Sequence, residues 1–420
     1  MRRRFSLMIG FVILACAGGQ STGSAGAAPA ERQRVQNIVP FDLATCFPTK
    51  VDLGKHANEY TLQAAYRAAR PAINECLVDA KVQTPGATTK GKATMTIDSS
   101  GATVSVTGEG LQPAGAACIE KAIKAQLEGV TAPANSKPLT LDAPFEREPN
   151  SMVRMGVNEP SDIQGTIRLA LPQWCSCFES VKTQAPPELT GNVTLTREDI
   201  AKYADRVPTL KDGGTPTVFS KTVTSQLQPF DPSGAQMAAC VNQKIEALPL
   251  KSTSETYIAP VQILLLNTNG SLAMPANTPP QLQFGQMDAV RELRQAEAFA
   301  ALARRQNVAN AYDGQVQAYQ AAANSKDAKK RKAAGTMVKD LKGGCATLVK
   351  VDDEYTKALE AQAGVEQQAL TLAQTLKAKD PAWAEAEKAS GGALADTQKQ
   401  IDASKQLRAA NEKACPKEKY

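Results

Sequence analysis

Nine cysteines and one histidine define the chemistry open to this 420-residue chain. A Ser-His-Asp or Cys-His arrangement needs an imidazole. The one available, His56, lies between Lys55 and Ala57 with no nucleophile motif beside it, so it reads as an ordinary loop histidine. Cys16, Cys46, Cys76, Cys118, Cys175, Cys177, Cys240, Cys345 and Cys415 are scattered, with one Cys-x-Cys and no Cys-x-x-Cys. That spacing excludes a zinc ribbon, a Cys/His finger and the usual dithiol redox motif. No phosphate-binding Gly-x-x-x-x-Gly-Lys-Ser/Thr occurs, and the isolated pairs Gly213-Gly214 and Gly343-Gly344 read as a loop and a helix start. The acidic run Asp352-Asp353-Glu354 reads as charge favoured near the start of a helix. No catalysis, cofactor or metal is expected.

The cysteines fit an exported, oxidised chain instead. Arg2, Arg3 and Arg4 precede the apolar run 5–15, and small residues follow, as in a secretory signal. The run is too short for a spanning helix, which takes roughly 20 apolar residues. Its end, Ile13-Leu14-Ala15-Cys16, resembles the lipobox of bacterial lipoproteins, whose cysteine is diacylated and becomes the mature N-terminus. The resemblance implies lipidation of Cys16. With Ala17 rather than Asp following, it also implies an outer-membrane lipoprotein facing periplasm or cell surface. Ordinary signal-peptidase cleavage after Ala27 or Ala30 is the alternative, since both follow small-x-small triplets. Either route leaves eight cysteines, an even number suited to disulfides.

Loss of residues 1–16 removes three arginines and lowers the formal charge from +6 to +3. No basic stripe remains to argue for nucleic acid. Hydrophobic residues at 42% indicate a globular chain, and aromatics at 5% leave the cores to Ala, Leu, Val and Ile. The length suggests about two to four domains.

The elements that must position the cysteines emerge from an internal repeat. Arg67 and Pro71 lie nine and five residues before Cys76, and Arg168 and Pro172 lie at the same distances before Cys177. Gly91 and Gly191 each open an alternating strand, Ala116-Ala117-Cys118-Ile119 and Ala238-Ala239-Cys240-Val241 each begin a short amphipathic helix, and a last strand follows. That last strand is carried by 139–141 in the first copy and 260–266 in the second. The order is helix, strand, strand, helix, strand. The second copy separates its cysteines by 63 residues rather than 42, because about 21 extra residues around 198–216 replace a tight hairpin.

This order, with a cysteine in each helix, resembles the TonB C-terminal-like domain in its AgmX/PglI form, known from myxobacterial proteins. The residues that carry it are the Pro-x4-Cys helix, the Gly-led strand, the turn Asp98-Ser99-Ser100-Gly101 and the Ala-Ala-Cys-Ile helix. Two helices packed side by side on one sheet imply the bridges Cys76–Cys118 and Cys177–Cys240, each worth about 2–4 kcal/mol. Cys46 and Cys175 pair by exclusion, the alternative being a free Cys175 thiol beside Trp174. The resemblance further implies an open sheet edge that accepts an extended peptide as an added strand.

Beyond the proline-rich linker the composition becomes that of long helices, with 287–323 as one, 328–341 as a shorter one, and 382–414 as a last. Leu348, Val351, Tyr355, Ala358, Gln362, Val365, Ala369, Leu372 and Leu376 form a heptad seam that needs a partner, supplied by 382–414 after a turn at Lys379-Asp380-Pro381. Cys345 and Cys415 each lie 35 residues from Asp380, so folding back at that turn brings them level and predicts a Cys345–Cys415 bridge. The basic run Lys329-Lys330-Arg331-Lys332 reads as a solvated helical face, with contact to anionic headgroups or glycans as the functional alternative.

The expected fold is α+β: two small helix-strand-strand-helix-strand modules, then an all-α helical hairpin or coiled-coil domain. The divisions are a signal at 1–16, a tether and lead-in at 17–57, modules at 58–148 and 162–267, a linker at 268–282 and the helices at 283–420. The expected function is a non-catalytic, lipid-anchored envelope scaffold that binds envelope proteins by strand addition, within a trans-envelope motility or transport assembly. A periplasmic holdase for outer-membrane proteins is the alternative.

Overall fold

The computed structural model describes residues 37–77, 88–147, 163–181, 188–197, 219–252, 256–266 and 278–415. The export signal with Cys16, the 17–30 tether, the 198–216 insertion and most of the proline-rich linker lie outside them. The elements in chain order are β1 Ile38–Asp42, α1 Glu59–Cys76, β2 Thr89–Asp98, β3 Gly101–Glu109, α2 Pro113–Leu127, β4 Leu139–Arg147 and α3 Ile163–Ala170. There follow β5 Glu188–Arg197, β6 Phe219–Ser225, β7 Gln228–Pro229, α4 Ala235–Glu246, β8 Lys251–Ser252 and β9 Thr256–Leu266. Three long helices end the chain, α5 Pro280–Ala323, α6 Ala328–Lys377 and α7 Ala384–Ala414. The architecture is α+β, with two small sheets followed by long helices.

In the first module α1 begins at Asn58, whose side chain accepts the Tyr60 N–H while Thr61 returns a bond to the Asn58 N–H, which closes the orphan donors of the first turn. Leu62, Ala65, Ala69, Ile73 and Cys76 repeat at helical steps and are all buried. They meet Ala93, Met95 and Ile97, the inward set of β2, together with Ile119 and Ile123 of α2. The strand order is β3-β2-β4, wholly antiparallel. The β2–β3 turn is fixed by Asp98, whose carboxylate accepts the N–H groups of Ser100 and Gly101, and Gly101 takes a φ of +137° that an L side chain would resist.

The second module repeats this order, but its first helix stops early. The sequence implies one helix through Cys177, whereas α3 ends at Ala170 and short 3₁₀ turns run over Leu171–Gln173 and Cys175–Val181. The equivalent Pro71 lies inside an unbroken α1, so Pro172 by itself does not end the helix. Cys175 and Cys177, two residues apart, must reach different partners, Cys46 and Cys240. On either side of the 198–216 segment β5 and β6 still pair antiparallel, from Val193–Ser225 to Arg197–Lys221, but Ser225 lies 15 residues before Cys240 where Val106, the partner of Ala93, lies 12 before Cys118.

The 17–57 segment is more than a lead-in. Residues 38–42 form β1, which pairs in parallel with Gln262–Leu266 of β9 and is buried throughout. The second sheet runs β1-β9-β5-β6-β8, with β7 also on β5.

The helices also differ from expectation in detail. A break and a new start at Gly343-Gly344 are expected, yet α6 is continuous over 50 residues. Gly344 is a point of close approach instead: a Cβ there would lie 2.3 Å from Gln315 Oε1 and 3.0 Å from the Tyr312 ring. The heptad seam assumes one partner, whereas α6 packs between α5 and α7. It therefore buries a second set, Asp352, Thr356 and Glu366, beside Leu348, Val351, Val365 and Ala369. Arg291 meets Glu366 at 2.8 Å, and Arg305 meets Asp352 at 2.7 Å, so these polar members are paired.

Candidate binding edge and the buried charges behind it

Four disulfides join Cys46–Cys175, Cys76–Cys118, Cys177–Cys240 and Cys345–Cys415. One ties α1 to α2, one ties the 3₁₀ turn after α3 to α4, one ties the segment after β1 to the second module, and one closes α7 onto α6. Cys175 is thus bridged and not a free thiol. Such a set belongs to an oxidising, exported environment. Among the described residues no helix is long and apolar enough to cross a membrane, and no group of three or more His, Cys, Asp or Glu could hold a metal ion. His56 is exposed, and its carbonyl accepts the Asn307 side chain. Cys16 lies outside the described residues.

The sheet edges differ in what covers them. On the β3 side, the Val106 N–H donates to Glu120 of α2. On the β6 side, Asn242 of α4 accepts the Leu227 N–H and donates to the Leu227 carbonyl at 2.9 Å, while Glu246 accepts the Ser225 N–H. A helix side chain thus engages the backbone of this edge in both modules.

The opposite edges, β4 and β9, are the closing strands of the two copies and share a device. Gly91 pairs with Phe145 and Lys92 with Pro144; Gly191 pairs with Val261 and Asn192 with Pro260. Ala143-Pro144 is therefore the counterpart of Ala259-Pro260, within the closing strands that hold 139–141 and 260–266. Proline suits an edge strand because its missing N–H faces away from the ladder. The proline carbonyl is capped from the adjacent helix in each copy, by Tyr66 Oη at 2.9 Å in the first and Gln164 Nε2 at 3.0 Å in the second. A shared Ala-Pro before an aromatic or β-branched residue was the available sequence signal for this match.

Beyond Pro260 the β9 edge is filled by β1: the Gln262 N–H donates to the Asn37 carbonyl at 2.7 Å, and pairing continues to Leu266. Before Pro260 it is open. Since alternate residues of a strand present their amides to the same side, Ile258 shares the outward side of Pro260 and Gln262. No strand pairs with it there among the described residues. Ile258 is 57% exposed and Tyr257 is 45% exposed. The matching surface of the first module is polar and internally paired, with Lys92–Asp142 and Lys90–Glu146 both at 2.9 Å. Opposite the β1 partners, that module carries Glu146-Arg147-Glu148-Pro149-Asn150 in sequence, where the second carries Gln262-Ile263-Leu264-Leu265-Leu266. The two copies have diverged at the edge where a strand is received.

Behind β1 lies a buried charge cluster. Arg168 of α3 pairs with Glu75 of α1 through contacts at 2.7 and 2.8 Å, and Asp42 closes β1 beside them. Burial pushes the Asp42 carboxyl up to about 7, with the negative Glu75 adding to the rise; the Ala44 N–H and Arg168 oppose it. The other repeat arginine, Arg67, pairs with Glu292 of α5 at 3.0 Å. The equivalent arginines thus dock the first module on the second and the helices on the first module. Sequence reasoning identified the repeated arginine but not its partners, which are distant in the chain. The run Ile38-Val39-Pro40-Phe41 was the visible sign of β1.

Comparison with protein-family models, curated proteins and solved structures finds no match to the chain.

Proposed function

We propose that this chain is a non-catalytic, lipid-anchored scaffold of the cell envelope, with two TonB-C-like modules that bind protein partners within a trans-envelope motility or transport assembly. The observation that carries this reading is the edge of β9, which already takes one added strand in cis, β1, and remains open over Thr256–Ile258 beside exposed Tyr257. An extended segment of a partner would pair with the outward amides there, with side-chain selectivity coming from the apolar pair. Exposed large apolar side chains among the described residues are Phe230, Tyr257 and Ile258 on the second module and Leu407 on the helices. That concentration on one module favours a localised docking edge over a holdase, which requires an apolar cradle between helices.

Membrane attachment at Cys16 and partner binding are tested together by fatty-acid labelling of wild type and Cys16→Ser, followed by identification of co-purifying proteins. Label on wild type alone and one stoichiometric partner are expected. An unlabelled wild-type chain would remove the anchor. A spread of outer-membrane barrel proteins would replace the scaffold by the holdase.

A further inference from the structure

The Cys345–Cys415 bridge marks where α7 ends on α6. Beyond it α5 and α6 continue as a pair, held at their base by Tyr312 and Gln315 of α5 against Gly344. The arm from Ala328 to Gly344 is about 25 Å long at 1.5 Å per residue. Its tip is the turn 324–327, where Lys326 is exposed together with Lys329, Lys330, Arg331 and Lys332 in the first turns of α6.

These cations do not serve the fold. Positive charge at a helix N-terminus opposes the helix dipole, and the first turn of α6 contains no acidic residue. The nearest acid, Asp327, is used as the cap and accepts the Lys329 N–H at 2.8 Å. Arg331 alone has a structural task, donating to the carbonyls of Ser325 and Lys326. Lys329, Lys330 and Lys332 take part in none of the ion pairs found among the described residues. Four successive residues span roughly 300° of a helix, so the charges surround the tip rather than forming one stripe. A nucleic-acid backbone is tracked by a stripe; a ring of cations at the end of an arm fits a plane of anionic headgroups.

We propose that the tip of the α5–α6 arm docks on an anionic lipid surface through Lys326, Lys329, Lys330 and Lys332. The contact is electrostatic and weakens as salt shortens the screening length. It is independent of acylation at Cys16.

The test is co-sedimentation of the full disulfide-bonded chain, carrying Cys16→Ser so that no acyl chain contributes, with vesicles of phosphatidylglycerol and of phosphatidylcholine. Uptake by the anionic vesicles alone, lost at high salt, is expected. The triple variant Lys329→Glu, Lys330→Glu, Lys332→Glu should weaken that uptake by about tenfold or more. Its new acids suit the helix N-terminus, so thermal melting should show a chain at least as stable as wild type. The control variant Lys121→Glu, Lys357→Glu, Lys388→Glu makes the same change in net charge on exposed sites elsewhere and should bind as wild type. Absence of uptake by anionic vesicles, equal uptake by phosphatidylcholine, or equal losses in the two triple variants would overturn the proposal.

Discussion

Glu75 of the first module and Arg168 of the second form a buried ion pair, with oxygen and nitrogen 2.7 Å apart. The arginine belongs to the repeat, but its partner does not: the equivalent Arg67 turns to Glu292 on α5. One position shared by the two modules thus serves two different joints, one between the modules and one between the first module and the helices.

Removing one partner of such a pair leaves an uncompensated charge inside. Glu75→Gln should therefore cost about 3–5 kcal/mol in urea unfolding. Measured at pH 5, where Asp42 is protonated in the fold, the double variant Glu75→Met, Arg168→Met should lose less than that single one, since no lone charge remains. A double variant that loses the sum of both singles would show that the pair is not the joint.

The Asp42 carboxyl, raised to about 7 from an unfolded value of 3.8, makes stability depend on pH with an unusual sign. The folded chain favours the protonated form, so stability rises as pH falls from about 7 towards about 4 and the penalty is complete above about 7. Asp42→Asn keeps an acceptor for the Ala44 N–H without the charge. It should raise the unfolding midpoint at pH 8, leave it nearly unchanged at pH 4, and flatten the profile between.

Phe41 is fully buried and packs on Phe178 with ring centroids 5.3 Å apart. Phe41→Ala should cost about 3–5 kcal/mol and loosen β1. Hydrogen exchange should then show the Gln262 and Leu264 amides, which face β1, losing protection, while Leu195 and Val193 amides in the sheet interior change little. Retained protection at Gln262 would place its stability elsewhere than in β1.

The Cys345–Cys415 bridge closes a loop of 70 residues. Its removal by Cys345→Ser, Cys415→Ser should cost about 4 kcal/mol by the loop-entropy estimate. Melting should show α7 and the base of the α5–α6 arm loosening before the α/β modules, which keep three bridges of their own.

The parts legible in the sequence are those in which spacing translates directly into height or face. Equal counts from Asp380 put Cys345 and Cys415 at one level because an antiparallel hairpin converts residue number into rise. The arginine, proline and cysteine offsets exposed the repeat because both copies retain them. What stayed hidden is non-local. Ile38-Val39-Pro40-Phe41 has no local feature that selects β9 as its partner more than 200 residues later. Asp352, Thr356 and Glu366 fall outside a heptad seam, since that pattern describes a helix with one neighbour and α6 has two. Gly343-Gly344 looked like a helix start, but the Gly344 side of α6 needs only the absence of a Cβ beside Tyr312. A binding edge is expected on both modules; the paired Lys90–Glu146 and Lys92–Asp142 of the first, against the exposed Tyr257 and Ile258 of the second, leave the second as the candidate.

The central claim, partner capture at the open half of β9, is tested most directly by a photo-crosslinking side chain placed at Ile258 in cells, with Leu407 on α7 as the second exposed apolar site. The scaffold reading predicts one discrete cross-linked partner from position 258, abolished by Ile258→Asp in the full chain bearing the probe at Tyr257, and none from position 407. A ladder of many products from 407, or no partner from 258, would contradict it.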